Sequence, residues 1–376
     1  MNPAISSLDY EGFIQKSSLE ERRILRKLND EWKKYYEPVA KERLIENIET
    51  DKKHHNLIKL CAKAFAETDL SINSGYEFYF AEPLIEFGHI EEGNKSFDLF
   101  LFNESDQSAI FIECKTSIPT RAKKILNEIE ESKTLIVDKL EYLSNIIGLQ
   151  IKPERIEYVL CVYDKDSRKI IDSLNKQAEK DEKNRIIGSE SIKLWIYRPH
   201  SQLIQLYQNH IHSNQIITEM LLRGFGEDSL RNQFELPYCI TTHPYRIIKL
   251  AIIGDCYTKN LHYENTSEPK IIKIDTIQTT LERNISMGIS QEQKRELISE
   301  KLEKIIKYGE KYQLFEKINE EEIRLICRGN DIQVVKNNIE SKFFKNWIKE
   351  WSDSEAKRKA IVEYKKRSGI QQLKDY

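Results

Sequence analysis

The sequence predicts an α/β protein in which helices cover both faces of a mixed β-sheet, followed by a largely α-helical C-terminal part. Two short segments, FDLFLF (97–102) and AIFIECK (109–115), are apolar at almost every position, which is typical of strands buried on both faces. Apolar residues at helical spacing precede and follow these strands, and residues 290–376 have the same spacing. With 39% hydrophobic and 32% charged residues, the chain can bury a core under a charged surface.

The first elements are helices followed by strands. Residues 18–69 have helical spacing, with a break expected at Pro38. The second helix carries an apolar stripe that we expect to pack on the sheet: Leu57, Leu60, Ala64 and Phe65. Gly75 and Pro83 bracket the segment YEFYFAE (76–82), and LIEFGHI (84–90) predicts a short strand ahead of the two apolar segments.

Helices and strands alternate after Lys115. A helical stripe runs towards Gly148, a natural C-cap. The stripe is Ile125, Ile129, Ile136, Leu140 and Ile147. Next come a strand (RIEYVLCVYD, 155–164), a helix (SRKIIDSLNKQAEK, 167–180) and a strand (IKLWIYRP, 192–199). This order predicts a mixed sheet with a right-handed crossover after Lys115.

The pattern changes after Pro199. We expect a helix in QLIQLYQNHI (202–211), a pair of strands around YRIIKLAIIGDCY (245–257), and helices from residue 290 onwards. The expected domains are a helical extension (1–41), the sheet domain (42–199) and a mixed, largely helical domain (200–376). The last would serve substrate specificity, partner binding or dimerisation.

Composition narrows the function classes. A net charge of −2 does not indicate a general nucleic-acid binder, so any basic surface must be local. The six cysteines are scattered, without zinc-ligand spacing, and predict reduced core thiols. The segment MNPAISSLDYEGF lacks signal-peptide features, and no run of 18 apolar residues occurs, so we expect a cytoplasmic protein with no membrane partner. His210 and His212 stand in a polar turn, where exposed histidines seldom bind metal.

The two apolar segments form a predicted hairpin that brings charged groups together. If it folds symmetrically about Ser105 and Asp106, Asp98 faces Glu113, and opposed residues point to the same face. Alternation along the second strand adds Lys115 to that face and turns Cys114 towards the core on the other face. Two carboxylates therefore converge.

Convergent carboxylates repel each other unless one is protonated or a cation lies between them. Oxygen ligands from Asp98, Glu113 and the Cys114 backbone carbonyl suit Mg²⁺, with Mn²⁺ as a substitute, rather than zinc. Such an ion can activate water and orient a phosphodiester. Lys115 would then hold the attacking water or neutralise charge on the phosphate.

An aspartate before an apolar strand that ends in Glu-x-Lys, within this order of helices and strands, resembles the PD-(D/E)xK nuclease superfamily, the restriction-endonuclease-like fold. The resemblance covers residues 42–198. It implies that Asp98 and Glu113 are metal ligands and that Lys115 is the catalytic lysine. The chain departs from the motif at Phe97, where a proline would stand.

Many members of this superfamily use one more carboxylate, from a helix. Glu67, Glu77 and Glu82 are the candidates here, and Glu82 is preferred. The basic residues Arg121, Lys123 and Lys124 open the next helix and would equally suit a DNA contact or a solvated face.

The resulting hypothesis is a Mg²⁺-dependent DNA endonuclease, acting on double-stranded DNA as a homodimer or higher oligomer, in type II restriction or antiviral defence. The alternative is a non-catalytic DNA-binding or scaffold subunit with the same fold, within a defence or repair complex. Retention of Asp98, Glu113 and Lys115 in register favours the first hypothesis.

Overall fold

The structure is a computed structural model that describes residues 7–81, 97–118, 122–148, 150–184, 192–207, 210–230, 234–257, 271–285, 291–326 and 332–368. The chain divides into two compact units. The sheet unit comprises Thr50–Leu250 and Ile277–Glu303, and the terminal unit comprises Met1–Glu49, Ala251–Thr276 and Lys304–Tyr376. The sheet unit therefore extends beyond the boundary expected at residue 199.

A seven-stranded mixed sheet forms the centre of the sheet unit. Its strands lie in chain order: β1 (Glu77–Ala81), β2 (Leu99–Asn103), β3 (Ser108–Lys115), β4 (Ile156–Tyr163), β5 (Lys193–Arg198), β6 (Leu203–Leu206) and β7 (Phe225–Gly226). The three central strands β3, β4 and β5 are parallel, and the other neighbouring pairs are antiparallel. The predicted α/β class with a mixed sheet is confirmed.

The described helices are α1 (Ser7–Lys16), α2 (Leu19–Ala64), α3 (Asp69–Ser74), α4 (Ala122–Asp138), α5 (Leu140–Ile147), α6 (Asp164–Asn184), α7 (Gln215–Arg223), α8 (Pro244–Ile247), α9 (Ile274–Asn284), α10 (Gln291–Lys311) and α11 (Ile332–Arg367). Apolar side chains of α2, α3 and α7 form one core with the sheet, and those of α4, α5 and α6 form a second core with its other residues. Helices therefore cover both faces, as predicted.

The hairpin of β2 and β3 has the register expected from the sequence. Leu99 is paired with Ile112 and Phe102 with Ala109, and the Asp98 amide continues the ladder by donating to the Ile112 carbonyl over 2.9 Å. The two faces differ in chemistry. Phenylalanines of the hairpin lie in the core shared with α4, whereas Cys114 lies in the core shared with α2.

Four local elements differ from or refine the sequence-based expectations. Helix α2 continues through Pro38 and loses only the backbone hydrogen bond that proline cannot donate. The helix before Gly148 is broken at Lys139, although Gly148 caps it with φ 70° as predicted.

The other two differences lie after residue 199. Leu203–Leu206 form strand β6 rather than a helix: Ile204 and Leu206 are buried in the core and alternate with the less buried Leu203 and Gln205. The expected strand pair at 245–257 is instead helical: α8 leads into a π-helical stretch, Ile248–Tyr257, whose apolar residues are mostly buried. The strand expected in LIEFGHI lies outside the described residues.

The terminal unit is largely helical, as expected for the C-terminal part. Helix α11 contacts α1 and the first part of α2 through a core that contains Tyr10, Leu25 and Ala360. Trp32 Nε1 also donates to Glu363 over 2.6 Å. A three-stranded sheet completes the unit: β8 (Ile271–Lys273), β10 (Glu322–Leu325) and β9 (Phe315–Lys317). No helix in the described ranges is long and apolar enough to cross a bilayer.

Candidate active site

The charged residues of the hairpin meet at the end of strand β3. Asp98 immediately precedes β2, and its Oδ2 accepts a hydrogen bond of 2.6 Å from the Cys114 amide. Glu113 accepts a hydrogen bond from the Lys115 ammonium, and the two side chains are an ion pair. Both carboxylate side chains are little exposed, 13% for Asp98 and 12% for Glu113. The structure thus brings together the three residues that the sequence predicted.

A fourth residue, His54 of α2, was not found by sequence reasoning. Its Nε2 lies 2.9 Å from the Cys114 carbonyl oxygen and 3.4 Å from Asp98 Oδ2. Because a carbonyl oxygen can only accept, Nε2 carries the proton and donates. The doublet His54–His55 was the available signal, but only the packing of α2 on the sheet distinguishes its members. His55 bonds to the Leu236 carbonyl instead.

The electrostatics of this cluster are strongly perturbed. Burial raises the pKa of Glu113, the Asp98 charge raises it further, and the result is about 8 despite Lys115. Burial also opposes ionisation of Asp98, but His54 and Lys115 hold the pKa of that carboxyl below its usual value. Asp98 therefore keeps its charge, and Glu113 is the group that titrates near neutrality.

The two basic side chains respond to the same carboxylates. Burial would lower the pKa of His54, but Asp98 raises it to about 9. Burial would likewise lower the pKa of Lys115, and Glu113 and Asp98 raise it instead. His54 and Lys115 are therefore cations at neutral pH. His54 contacts Asp98, and Lys115 contacts Glu113.

These residues fit a hard divalent ion. The donor set comprises two carboxylates and the Cys114 carbonyl, all oxygen, which matches Mg²⁺ or Mn²⁺. His54 and Lys115 supply the positive charge that two buried carboxylates require. A bound divalent ion would supply that charge instead.

Of the remaining predicted residues, those that the structure describes are not part of this cluster. Glu82 and Arg121 lie outside the described residues. Glu67 and Glu77 are exposed, in the turn between α2 and α3 and at the start of β1. Lys123 and Lys124 are exposed in the first turn of α4.

Behind the carboxylates lies a cluster of three thiols. Cys61, Cys114 and Cys161 come from α2, β3 and β4, and their sulfur atoms lie within 4.8 Å of one another. Such a set suits a thiophilic ion rather than Mg²⁺. All three are fully buried, and burial raises each thiol pKa well above its usual value, so they are protonated. Core thiols were the expectation, and these three have the burial and protonation of core thiols.

The second pair of histidines is occupied by structural hydrogen bonds. His212 is buried rather than exposed, so its predicted setting was wrong. Its Nδ1 is bonded to Glu157, and its Nε2 accepts from Trp195 Nε1 over 2.9 Å. His210 Nδ1 donates to the Ile192 carbonyl over 2.9 Å. Both nitrogens of His212 are therefore used, as a buried structural histidine requires.

Comparison with known proteins gives little functional information. No protein-family model matches the chain, and no solved structure matches it. The chain is similar to an uncharacterized protein of Archaeoglobus fulgidus, with 24% identity over 334 residues that cover 85% of this chain and 86% of that protein. The relative has the same extent, so the similarity includes both units.

Proposed function

We propose that this chain is a metal-dependent endodeoxyribonuclease of the PD-(D/E)xK superfamily. Its active site consists of Asp98, Glu113 and Lys115, with His54 beside them. The observation that carries the proposal is the convergence of two buried carboxylates and a lysine at the end of one parallel strand. The repulsion between the two carboxylates contributes to the raised pKa of Glu113, and strongly shifted pKa values are typical of active sites.

The roles follow from the contacts. Asp98, Glu113 and the Cys114 carbonyl would hold a divalent ion, Mg²⁺ with Mn²⁺ as a substitute. When bound, the ion supplies Lewis-acid stabilisation of phosphate charge and makes a water more acidic. Lys115 is fixed beside Glu113, so its ammonium can donate to a phosphate oxygen or orient the attacking water. His54 orients Asp98 and the Cys114 carbonyl through its Nε2 proton.

The proposed setting is a cytoplasmic nuclease of type II restriction or antiviral defence. Because the net charge is only −2, any basic DNA-binding surface on one chain is narrow, and a second copy in a homodimer or higher oligomer would extend it. A second copy would also cut the second strand of duplex DNA.

The test is cleavage of supercoiled and linear DNA with Mg²⁺, Mn²⁺ or EDTA. Asp98→Asn and Lys115→Met should each lower the rate at least about 100-fold. Asp106→Asn is the matched control, because Asp106 lies in the same hairpin at its exposed turn, with 59% of its side chain exposed. Cleavage by wild type and Asp106→Asn alone would support the proposal. Metal-independent DNA binding without cleavage by any of the four proteins would contradict it and favour the scaffold alternative.

A further inference from the structure

A cleft of the sheet unit lies at the same end of the parallel strands as Asp98 and Glu113. Basic and aromatic side chains, rather than carboxylates, dominate its lining. Its volume is about 400 Å³. It is lined by one face of α2 and by the ends of β4 and β5: Lys53, Asn56, Leu57, Lys59, Leu60, Lys63, Tyr163, Tyr197, Pro199, Gln202 and Glu227. Three lysines face one carboxylate, so the lining is basic in a chain whose net charge is −2.

The strand register places this cleft next to the candidate active site. Lys115 is paired with Val162, so Tyr163 is one residue further along the neighbouring strand, and Tyr163 is paired with Tyr197 on the strand after that. Neighbouring strands are ~4.8 Å apart, which puts the Tyr197 backbone two strands, roughly 10 Å, from the Lys115 backbone. The two tyrosine side chains pack against the core shared with α2, whereas alternation directs Lys115 to the opposite face, so a bound DNA strand would pass around the ends of β3 and β4. Helix α2 joins the two sites, because His54 contacts Asp98 and the adjacent Lys53 lines the cleft.

Two tyrosines give the cleft an aromatic floor. The Tyr163 and Tyr197 rings are edge to face, with centroids 5.1 Å apart and an interplanar angle of 74°, so the pair itself uses only one ring face. Both side chains are half-buried. Tyr163 is held by its hydroxyl, which donates to the Lys53 carbonyl over 3.5 Å. Tyr163 is therefore held in place by both its hydroxyl and the neighbouring ring.

We propose that this cleft binds unpaired nucleotides of single-stranded DNA and delivers the adjoining phosphodiester to Lys115. A positive groove with aromatic platforms is how proteins bind single strands, because every base has a face that can stack. In a duplex those faces are covered by neighbouring base pairs, so only unpaired bases reach the tyrosines.

The delivery of a phosphodiester to Lys115 rests on the proposed nuclease function, whereas binding of single strands in the cleft does not. The inference also narrows the class of DNA substrate. In place of the fully paired duplex of the proposed setting, the substrate is DNA whose reacting strand is unpaired at the cut, as in single-stranded DNA or in a duplex with an overhang or flap. A blunt duplex would bind through its phosphates alone.

The test measures DNA binding by the full-length protein in EDTA, using fluorescence anisotropy of a labelled oligothymidylate and of a blunt duplex. Wild type should bind the single strand at least about 10-fold tighter. Tyr197→Leu should weaken single-strand binding about 10-fold, as expected for the loss of one stacking platform, whereas Tyr197→Phe should keep it. The matched control is Tyr207→Leu, since Tyr207 packs in the core on the other face of the sheet. Lys59→Gln tests the cleft without altering the tyrosine pair.

The outcomes separate this inference from the proposed function. Equal single-strand binding by wild type, Tyr197→Leu and Lys59→Gln would overturn the inference, even if Asp98-dependent cleavage persists. Tyr197-dependent binding without metal-dependent cleavage would support the cleft and contradict the nuclease. Cleavage of overhang DNA that falls in Tyr197→Leu and not in Tyr207→Leu would support both.

Discussion

Among the described residues of the sheet unit, a carboxylate contacts a histidine at each end of the parallel strands, Glu157 with His212 and Asp98 with His54, and the two ends differ in their electrostatics. At the start of β4, Glu157 is bonded to His212 and accepts from the Ser213 amide over 2.7 Å. Burial would raise the pKa of Glu157, but these bonds lower it. At the end of β3, burial raises the pKa of Glu113, and the charge of Asp98 raises it further.

The difference shows which feature of a buried acid indicates function. Glu157 has exchanged its hydration for matched hydrogen bonds, as structural polar groups do. Glu113 faces a repulsion that the fold maintains, which costs stability and leaves a proton that can be exchanged. Cleft size does not make this distinction: the cleft beside Glu157, about 770 Å³, is larger than the cleft of about 400 Å³ near Lys115.

The largest expected effect comes from replacing the Glu113 carboxylate with a neutral amide. Glu113→Gln should lower metal-dependent cleavage at least about 100-fold and raise the free energy of unfolding by ~1 kcal/mol at pH 8, because it removes the repulsion with Asp98. The sign follows from the pKa: a group whose folded pKa of about 8 exceeds its unfolded value of 4.5 loses stability as pH rises between them. Cleavage rates and urea denaturation measure both effects.

A Glu113→Gln protein that cleaves at the wild-type rate would refute the catalytic role of Glu113. A protein that loses both activity and stability would mean that Glu113 is a structural residue, like Glu157.

Glu157→Gln should have the opposite result. It should leave cleavage unchanged and lower the free energy of unfolding by about 1.5 to 3 kcal/mol at pH 7, the usual range for a hydrogen bond to a charged group. The folded pKa of Glu157 lies below the ordinary value of 4.5, so this stabilisation is present above pH 4.5 and is lost as pH falls through the folded pKa. Urea denaturation of both proteins at pH 7 and about pH 3 checks the result. An undiminished difference at about pH 3 would contradict the assignment.

Metal binding should depend on pH at the β3 end alone. Because Glu113 must lose its proton to ligate a metal, Mn²⁺ affinity should rise by up to about 10-fold per pH unit below about pH 8 and level off above it. Titration calorimetry in buffers of different ionisation enthalpy would also detect the released proton. In Glu157→Gln the same pH profile should remain. A pH-independent affinity would show that neither Glu113 nor protonated His54 competes with the ion.

The sequence predicted the parts of this site that lie close together along the chain. The alternation of residues and the turn length fix the register of β2 and β3, so the convergence of Asp98, Glu113 and Lys115 followed from local rules. His54 did not, because no local rule specifies which turn of a 46-residue helix lies beside the end of β3.

The misread segments have a related cause. Leu203–Leu206 is too short to separate a strand from a helix by periodicity, and its state depends on pairing with β5 and β7. Ile248–Tyr257 is mostly apolar and buried, and a short apolar run of this kind does not distinguish a buried strand from a buried helix.

The smallest expected effect comes from replacing Lys123 or Lys124. These changes test whether the DNA-binding surface extends from the end of β3 to the first turn of α4. Both are exposed, and Lys124 lies 3.8 Å from Glu128, a surface pair that contributes little to stability. If α4 contacts DNA, each Lys→Gln change should weaken binding of every DNA sequence alike and reduce the slope of log affinity against log salt by roughly 0.7 to 0.9. Lys169, on α6 and paired with Asp166 over 2.7 Å, is the matched control. Unchanged slopes in both variants would assign the first turn of α4 to a solvated face and confine DNA contacts to β3, β4, β5 and α2.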